Sequence, residues 1–387
     1  MRTDRKEQEV KVTGLETFEM WGAPRNWVFV KLVTDEGLHG WGEGTLEGRE
    51  RTVRTAIHEL GEYLIGKDPT AVEHHWQAMF RHGFWRGGVV LNTALAALDQ
   101  AMWDLRGKAA GLPVYRLLGG PTRDRIRLYT HVGIYDPGQM VEDAQRDLEA
   151  GFTAVKTGAW AGDTGLAEPQ AIAAFAERVA RLREVVGPDV DILIDNHGRS
   201  RPSTAVRLMK ALEPYRLFWF EEPTQPDDLE GLRALRQAGA AVDLAAGERL
   251  YSKWDFRPLL EQRLVDVIQP DLCHAGGITE CKKIAAMAEA YYIQVAPHSP
   301  QGPVSTAAAA HLAMAIPNFQ ILEYVHSQPW RDRVLKEPWP VKAGHLVVPE
   351  RPGLGVELDE DAIAANPPRP VGVPRGAWFA DGSVADV

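Results

Sequence analysis

The stretch from Val190 to Pro223 decides the fold. It begins with VDILID at 190–195, continues through a helical segment, and returns to LFWFEEP at 217–223. Both apolar runs are short and rich in β-forming residues, and a carboxylate follows each of them. A helix between two such runs is typical of a parallel βαβ unit, in which both strands end at the same edge of the sheet.

The same alternation extends in both directions along the chain. Short β-prone runs are separated by helical stretches such as Glu168–Val185 and Ile278–Tyr291. The eight runs are Ile126–His131, Thr153–Thr157, Val190–Asp195, Leu217–Glu221, Asp243–Glu248, Val265–Asp271, Ile293–His298 and Phe319–Glu323. Eight alternating units predict an α/β fold, a (β/α)7β TIM-type barrel.

The flanking segments predict two further parts. Residues 12–43 contain β-prone runs around the turn Asp35-Glu36-Gly37, whereas apolar residues in 51–118 recur at helical spacing. We therefore expect an N-terminal α+β capping domain at 1–122 and a catalytic (β/α)-barrel domain at 123–350. A C-terminal tail at 351–387 should pack back on the capping domain and complete it.

Composition excludes several classes of protein. A net charge of −10 argues against a nucleic-acid partner and against an anionic membrane surface. The charged residues 1–10 lack the apolar core of a signal peptide, and no apolar run is long enough to span a membrane. The two cysteines, Cys273 and Cys281, are too few for a disulfide framework, so we expect a cytoplasmic protein.

An ionisable residue stands at the end of each run from the second onward. These residues are Lys156, Asp195, Glu221, Glu248, Asp271, His298 and Glu323. From Asp195 onward their positions differ by 26, 27, 23, 27 and 25 residues, each about one strand–loop–helix unit. All should face the carboxyl end of the barrel, where barrel enzymes have their active sites.

Three of these residues form a predicted metal site. Asp195, Glu221 and Glu248 follow consecutive strands, and three oxygen ligands suit Mg²⁺, with Mn²⁺ as a substitute. Without a cation, clustered carboxylates would repel one another and raise one another's pKa. Taken singly, each could instead be a solvated acid in a loop.

Two histidines accompany the carboxylates. His298 and Asp271 end adjacent runs, and an imidazole beside a buried carboxylate suits a general base. His197 lies two residues beyond Asp195, so both side chains should point to the same side. This set suits removal of the proton α to a carboxylate, although each histidine taken alone could be a structural polar residue.

Several motifs together carry a resemblance to a known family. They are Trp41-Gly42-Glu43, Asp195-Asn196-His197-Gly198-Arg199, Phe220-Glu221-Glu222-Pro223, Ala245-Ala246-Gly247-Glu248-Arg249, Gln269-Pro270-Asp271-Leu272, His274-Ala275-Gly276-Gly277-Ile278-Thr279-Glu280, Ala296-Pro297-His298 and Pro352-Gly353-Leu354-Gly355-Val356-Glu357. Over residues 12–387 the chain resembles the enolase superfamily, its mandelate racemase subgroup, and within it the D-galactonate dehydratases.

The resemblance implies an activity and a role for each residue. It implies an Mg²⁺-dependent sugar-acid dehydratase, a hydro-lyase, with His298 as base and Asp271 raising its basicity. It implies His197 as acid and Glu323 as the residue that stabilises the enediolate, and Lys156 is a further catalytic candidate. Relatives commonly form dimers or octamers, so a homo-oligomer is expected, with an acid sugar as substrate.

The chain also departs from its relatives. The second run reads Lys156-Thr157-Gly158, where racemases resemble one another in carrying Lys-x-Lys and galactonate dehydratases carry Lys-Leu-Asn. Asn196 replaces an aromatic residue. Both positions are expected near the bound sugar, which argues against D-galactonate. In the loops 19–27 and 44–49, Trp21, Arg25 and Arg49 are either substrate contacts or solvated residues.

Other functions remain open at this point. The first is an epimerase or racemase, and the second is a cycloisomerase of the same superfamily acting on a carboxylate. A non-catalytic barrel should have lost a ligand or the His298–Asp271 pair, and neither is lost. A hydrolase barrel would require a histidine-rich metal site.

Overall fold

The chain begins with an antiparallel sheet. The computed structural model describes residues 10–158, 168–239, 241–328, 330–370, 377–378 and 381–385, so the charged segment 1–9 lies outside it. Strands β1 (Val12–Trp21), β2 (Asn26–Thr34) and β3 (His39–Glu43) pair in the order β1-β2-β3. The turn between β2 and β3 places Gly37 at φ 75°, a backbone angle that glycine adopts without strain.

Four helices follow the sheet. They are α1 (Glu50–Gly61), α2 (Val72–Arg81), α3 (Val89–Ala110) and α4 (Val114–Leu117), with a 3-10 turn at Glu62–Leu64 after α1. Strand β3 lies directly on α3. A Cβ added to Gly42 would lie only 1.9 Å from the carbonyl oxygen of Ala97. The glycine in Trp41-Gly42-Glu43 therefore permits this close approach of strand and helix.

Eight parallel strand segments form the larger sheet. They are β4 (Ile126–His131), β5 (Ala154–Thr157), β6 (Asp191–Asp195), β7 (Trp219–Glu221), β8 (Asp243–Ala246), β9 (Val267–Ile268), β10 (Gln294–Val295) and β11 (Leu322–Glu323). Neighbours in the chain pair in parallel from β4 to β10, and β11 pairs with β4. Each strand lies within its predicted run, although β9 to β11 are only two residues long.

The ring of strands has one weak seam, between β10 and β11. There the contact is a single parallel bridge from Val295 to Phe319. Val295 donates its amide to Asn318 O at 2.8 Å and accepts from Gln320 N at 2.9 Å. These bonds join the last strand segments to each other, and β11 joins β4.

The barrel interior is filled by side chains from every strand segment. One buried cluster contains Tyr129, Ala154, Leu193, Trp219, Ala245, Val267, Ala296 and Ile321. The large rings of Tyr129 and Trp219 meet edge to face with centroids 5.6 Å apart, and alanines oppose them. A packed interior of this kind is characteristic of the (β/α) barrel.

Helices surround the barrel. They are α5 (Pro137–Glu149), α6 (Glu168–Val186), α7 (Pro202–Leu212), α8 (Leu229–Gln237), α9 (Lys253–Glu261), α10 (Gly277–Ala290) and α11 (Pro303–Ala313), with a 3-10 turn at Glu213–Tyr215. The predicted helices at 168–185 and 278–291 match α6 and α10 within one residue at each end. In the described ranges, no helix is both long and apolar enough to cross a bilayer.

After β11, the hairpin 341–346 adds to the barrel sheet by antiparallel pairing with β4, and the chain then returns to the first sheet. Its elements are α12 (Trp330–Arg333), β12 (Val341–Lys342), β13 (His345–Leu346), α13 (Glu360–Ala364), β14 (Ala377–Trp378) and β15 (Val384–Ala385). Glu357 Oε1 accepts from His39 Nε2 at 2.6 Å and from Trp41 Nε1 at 3.0 Å. Leu354 N donates to Asp104 Oδ1 at 2.7 Å. The tail thus packs on the N-terminal sheet and helices, as the sequence predicted.

Candidate active site

The predicted site residues meet at the carboxyl end of the barrel. Asp195 on β6 pairs in register with Glu221 on β7, so their carboxylates are adjacent. Lys156 and Glu323 also lie within their strands. Glu248, Asp271 and His298 instead lie two or three residues beyond strands β8, β9 and β10. All of these side chains are buried or nearly so.

Lys156 lies at the centre of the acidic cluster. Its Nζ is 3.0 Å from Asp195 Oδ2, 3.1 Å from Glu221 Oε1 and 3.0 Å from Glu323 Oε1. Burial alone would lower the pKa of Lys156, but these carboxylates raise it well above its usual value. The side chain is therefore a buried cation that offsets part of the negative charge.

One side of the cluster gathers groups suited to a metal ion. Ligand atoms of Asp195, His197 and Glu248 lie within 4.8 Å of one another. Glu248 Oε2 is buried and has no hydrogen-bond partner among the described residues. Glu221 is turned toward Lys156 and accepts from Trp219 Nε1 at 3.1 Å. The predicted ligands are thus adjacent, with two in the tight group and the third beside it.

The electrostatics of the cluster show a surplus of negative charge. Burial and the charge of Asp195 raise the pKa of Glu221. Burial also raises the pKa of Glu248, to about 7, with His298 acting in the opposite direction. Burial would raise the pKa of Asp195 too, but Lys156 and His197 lower it. Carboxylates that repel one another and an unpartnered oxygen fit a hard divalent cation.

His298 and Asp271 form a pair beside these carboxylates. His298 Nδ1 donates to Asp271 Oδ2 at 2.7 Å, which leaves Nε2 directed toward Glu248 Oε2 at 3.4 Å. Burial would lower the pKa of His298, but the charges of Glu248, Glu323 and Asp271 raise it to about 10. The bond to Asp271 therefore fixes the ring, and the surrounding carboxylates hold it protonated. A cation bound beside Glu248 would offset this negative charge and lower the pKa of His298 toward the range of a general base.

His197 stands in a strained turn directly after β6. It has φ 48°, which is unusual for a residue other than glycine, and its Nε2 is 3.1 Å from Asp195 Oδ2. Although burial would lower its pKa, the hydrogen bond and charge of Asp195 raise the pKa of His197. A protonated imidazole at this position is suited to donate a proton.

The side chain of Asn196 is held by hydrogen bonds within the turns at the ends of β6 and β7. Its side-chain amide is buried and donates to Glu222 O and Pro223 O, each at 3.2 Å, and accepts from Ser200 Oγ. The side chain therefore joins the turns after β6 and β7. The expectation that this position lies near a bound sugar stays a prediction.

Sequence reasoning missed one residue at the mouth. His131, at the end of β4, donates from Nε2 to Glu323 Oε1 at 2.6 Å, and Ser299 N donates to Glu323 Oε2 at 2.7 Å. Burial would raise the pKa of Glu323, but Lys156 and the two histidines around it hold that pKa well below its usual range. The strand-end rule that identified the other residues applies equally to His131.

The three candidate residues of the capping loops have different surroundings. Arg25 Nη1 donates to Gln301 Oε1 at 3.2 Å, three residues beyond His298 in the chain. The guanidinium of Arg369 covers the Trp21 ring at 4.9 Å, whereas the side chain of Arg49 is exposed and donates to Gly48 O. Among the three, Arg25 is thus the one whose contact reaches the barrel.

Two family models match the chain. Residues 22–119 match the mandelate racemase / muconate lactonizing enzyme N-terminal domain, and residues 139–362 match the enolase C-terminal domain-like family. The D-galactonate dehydratase of Variovorax paradoxus is 44% identical over 97% of this chain and all of its own length. The D-galactonate dehydratase of Ralstonia pickettii is 41% identical over the same shares.

Solved structures agree with the sequence relatives. An enolase from Agrobacterium radiobacter with bound sodium and L-malate superposes with a TM-score of 0.91 at 36% identity, over 97% of this chain and all of that one. An enolase from Pantoea ananatis with bound D-gluconate and magnesium has a TM-score of 0.89 at 34% identity, over 97% and 99%. With both of its parts matched, this chain belongs to the mandelate racemase and muconate lactonizing enzyme subgroup of the enolase superfamily.

Proposed function

We propose that the protein is an Mg²⁺-dependent sugar-acid dehydratase resembling D-galactonate dehydratase. It removes the proton α to a carboxylate and eliminates the β-hydroxyl, which gives a 2-keto-3-deoxy sugar acid. The observation that carries this proposal is the His298–Asp271 pair, in which His298 Nε2 points into the carboxylate cluster, 3.4 Å from Glu248 Oε2. The two dehydratase relatives, which this chain matches over nearly its full length, support it.

We propose Asp195, Glu221 and Glu248 as the ligands of Mg²⁺, for which Mn²⁺ substitutes. The unpartnered Glu248 Oε2 and the adjacency of Asp195 and Glu221 support this assignment. Bound there, the cation would draw charge from the substrate carboxylate and stabilise the negative charge that develops when the α-proton leaves. The Pantoea ananatis relative holds magnesium together with D-gluconate.

The two histidines divide the proton transfers between them. His298 Nε2 accepts the α-proton, and Asp271 stabilises the imidazolium through its bond to Nδ1. His197 donates a proton to the β-hydroxyl, which departs as water. The electron pair of the broken C–H bond forms the C–C double bond, and the resulting enol becomes the keto acid. One histidine as base and another as acid suit an elimination of this kind.

Lys156 and Glu323 complete the proposed site. Lys156 contributes a fixed positive charge between Asp195, Glu221 and Glu323. Glu323 accepts hydrogen bonds from His131 Nε2 and Ser299 N. We propose that it stabilises the enediolate by keeping these two donor groups in place at the mouth of the barrel. Both residues are buried, so their positions are set before substrate binds.

The substrate class follows from the same geometry. We propose an aldonic or aldaric acid that carries a hydroxyl on the carbon next to the one that loses the proton. The departures at Asn196 and at Lys156-Thr157-Gly158 argue against D-galactonate, whereas the dehydratase relatives argue for it. D-galactonate and D-gluconate are therefore the first acids to test.

The experiment is a library of aldonic and aldaric acids incubated with the protein and Mg²⁺. We expect a 2-keto-3-deoxy product from at least one acid, and no turnover after exhaustive chelation. If the library gave only epimers, the protein would be an epimerase or racemase, and a lactone product would indicate a cycloisomerase. Full activity without a divalent cation would contradict the metal assignment.

We further propose a division into a capping domain at 1–122, a barrel domain at 123–350 and a tail at 351–387. Separate sheets for β1–β3 and for the barrel, with Glu357 bonded to His39 and Trp41, support it. Limited proteolysis tests these boundaries.

We also propose a cytoplasmic homo-oligomer. Phe84 and Trp85 are 87% and 84% exposed on one loop, and adjacent exposed aromatic residues are typical of subunit contacts. Buried, free Cys273 and Cys281 suit a reducing compartment. Sedimentation of the wild-type protein beside a Phe84→Ser, Trp85→Ser variant tests the assembly.

A further inference from the structure

A second histidine contacts the partner of the proposed base. His274, only 7% exposed, has its Nδ1 3.5 Å from Asp271 Oδ2, the oxygen that also accepts from His298 Nδ1 at 2.7 Å. The other oxygen, Asp271 Oδ1, accepts from Cys273 N at 2.6 Å. The carboxylate is therefore held from three directions, and His274 also contacts the capping part of the chain.

The contact of His274 with the capping part is a hydrogen bond. Its Nε2 donates to the carbonyl oxygen of Thr45 at 2.8 Å, since a carbonyl can only accept. Its Nδ1 faces the Asp271 carboxylate, 3.5 Å from Oδ2. Burial would raise the pKa of Asp271, but the charges of His274 and His298 lower it, so this geometry favours the ionised carboxylate.

Thr45 lies at the base of the capping loop 44–49 and is itself anchored. Thr45 Oγ1 donates to Glu43 Oε1 at 2.8 Å and accepts from Val28 N at 3.1 Å. Glu43 in turn accepts from Gly302 N at 2.7 Å and from Ser305 N at 2.9 Å, at the start of α11. The segment Glu43–Thr45 is therefore tied to the chain that follows His298 and, through His274, to Asp271.

We propose that His274 is a positioning residue that fixes the Asp271 carboxylate for His298 and couples the capping loop 44–49 to the base. The inference rests on the proposed function, because it assigns the His274 contacts to the proton-removal step. Neither the Mg²⁺ ligands nor His197 is bonded to His274. Its loss should therefore weaken proton removal while metal binding is retained.

Two substitutions separate the two contacts of His274. In His274→Gln, the amide can reach the Thr45 carbonyl in place of Nε2 but offers no donor to Asp271. In His274→Asn, the shorter amide can replace Nδ1 beside Asp271, but the carbonyl oxygen of Thr45 loses the donor that Nε2 provided. His311→Asn is the matched control, because His311 is another buried histidine that bonds across elements, to Tyr115 N and Leu354 O, without contacting Asp271.

The measurement is exchange of the substrate α-proton with deuterated solvent, followed by NMR, together with kcat and KM. We expect His274→Gln to lower exchange and kcat by about 10²-fold, since a misplaced catalytic group costs about that much. His274→Asn should restore most of this exchange but raise KM, because the loop has lost its anchor. His311→Asn should exchange at the wild-type rate per folded molecule.

Three outcomes would overturn the proposal. The first is exchange at the wild-type rate in both His274 variants. The second is a loss of exchange in both variants that a smaller fraction of folded protein fully accounts for. The third is a loss in His274→Asn as large as in His274→Gln, since rescue by the conservative donor would then be absent. If the wild-type protein with Mg²⁺ exchanged no acid's α-proton, the proposed function itself would fail, which is a distinct result.

Discussion

Buried carboxylates occur in two regions of this molecule, and their partners differ. At the barrel mouth, Asp195, Glu221 and Glu248 face one another and share Lys156 as a cation. At the junction between the capping part and the barrel, Glu43 and Asp104 accept backbone amides from elements far away in the chain. In the first arrangement the carboxylates also repel one another, whereas in the second burial raises the pKa of Glu43 to about 7 and backbone amides act in the opposite direction.

At the junction, both oxygens of the Glu43 carboxylate have hydrogen-bond donors. Glu43 Oε1 accepts from Gly302 N and Thr45 Oγ1, and Glu43 Oε2 accepts from Ser305 N. A Cβ on Gly302 would lie 2.7 Å from Glu43 Oε1, so only glycine leaves room for this carboxylate. A carboxylate at a helix start also interacts favourably with the helix dipole. Glu43 thus stabilises the start of α11.

The difference predicts opposite effects of neutralising a carboxylate. At the mouth, removing one of several repelling charges should remove function and leave the fold intact. At the junction, removing an acceptor should leave backbone donors without partners and lower stability. Proteins commonly give up stability at functional sites in this manner.

The largest effect should come from Glu248→Gln. The variant loses one of the proposed oxygen ligands, and loss of metal assistance is worth several kcal/mol, so we expect turnover to fall about 10³-fold or more. Its free energy of unfolding without metal should equal or exceed that of wild type, because one repelling charge is gone. Product formation and chemical denaturation measure the two quantities. Glu261→Gln, at an exposed position ending α9, is the control, and a large loss of stability in Glu248→Gln would contradict the comparison.

The two histidines at the mouth should lose different steps. His298→Asn should stop both dehydration and α-proton exchange with solvent, whereas His197→Asn should block dehydration and still allow exchange. Each loss should be about 10²–10⁴-fold, the usual contribution of a general acid or base. Asp271→Asn should give an intermediate loss, since it weakens the base without removing it.

NMR exchange on a confirmed substrate measures these losses for all three variants beside wild type. If His298→Asn exchanged at the wild-type rate while His197→Asn did not, the two roles would be reversed. If both variants dehydrated normally, the proposed site would be in the wrong place.

The mouth was more predictable from sequence than the junction, and the reason is physical. Asp195 and Glu221 follow local apolar runs, and parallel strands bring their ends together without further information. Glu43 meets Gly302 across 259 residues, and no local pattern predicts which helix start it reaches. His274 begins the sequence motif at 274–280, but its contact with Thr45 depends on how the capping part packs on the barrel.

Some details at the mouth also required the structure. The turn at His197 and the amide bonds of Asn196 depend on the neighbouring loop after β7, so their directions cannot be read from the β6 run. Strand β9 is only two residues long, whereas the predicted run covered 265–271. The run continues into Pro270, which has no amide hydrogen with which to extend the ladder.

The junction should respond to Glu43→Gln mainly in stability. The glutamine side chain can still accept from Gly302 N at its Oε1. Its Nε2, however, is a donor and would lie against Ser305 N, which is also a donor. Leaving such a buried donor unpartnered costs about 1–3 kcal/mol, which urea denaturation would measure. Dehydration per folded molecule should change far less than in Glu248→Gln. Equal losses of turnover in the two variants would remove the distinction between the regions.

The smallest effect concerns a histidine at the junction, in contrast to His298 at the mouth. His311 accepts from Tyr115 N at Nδ1 and donates from Nε2 to Leu354 O, so it is held in the neutral form. Burial lowers its pKa from 6.5 to about 4. Between these pH values the unfolded chain binds a proton that the folded protein does not, so stability falls as the pH falls. The loss at pH 5 should be about 2 kcal/mol relative to pH 8.

His311→Asn cannot titrate, so although it should be less stable at pH 8, its stability should decline less steeply between pH 7 and pH 5. Denaturation of both proteins across this pH range isolates the contribution of His311. If the free energies of unfolding of the two proteins fell in parallel with pH, protonation of His311 would not be what destabilises the folded protein at low pH.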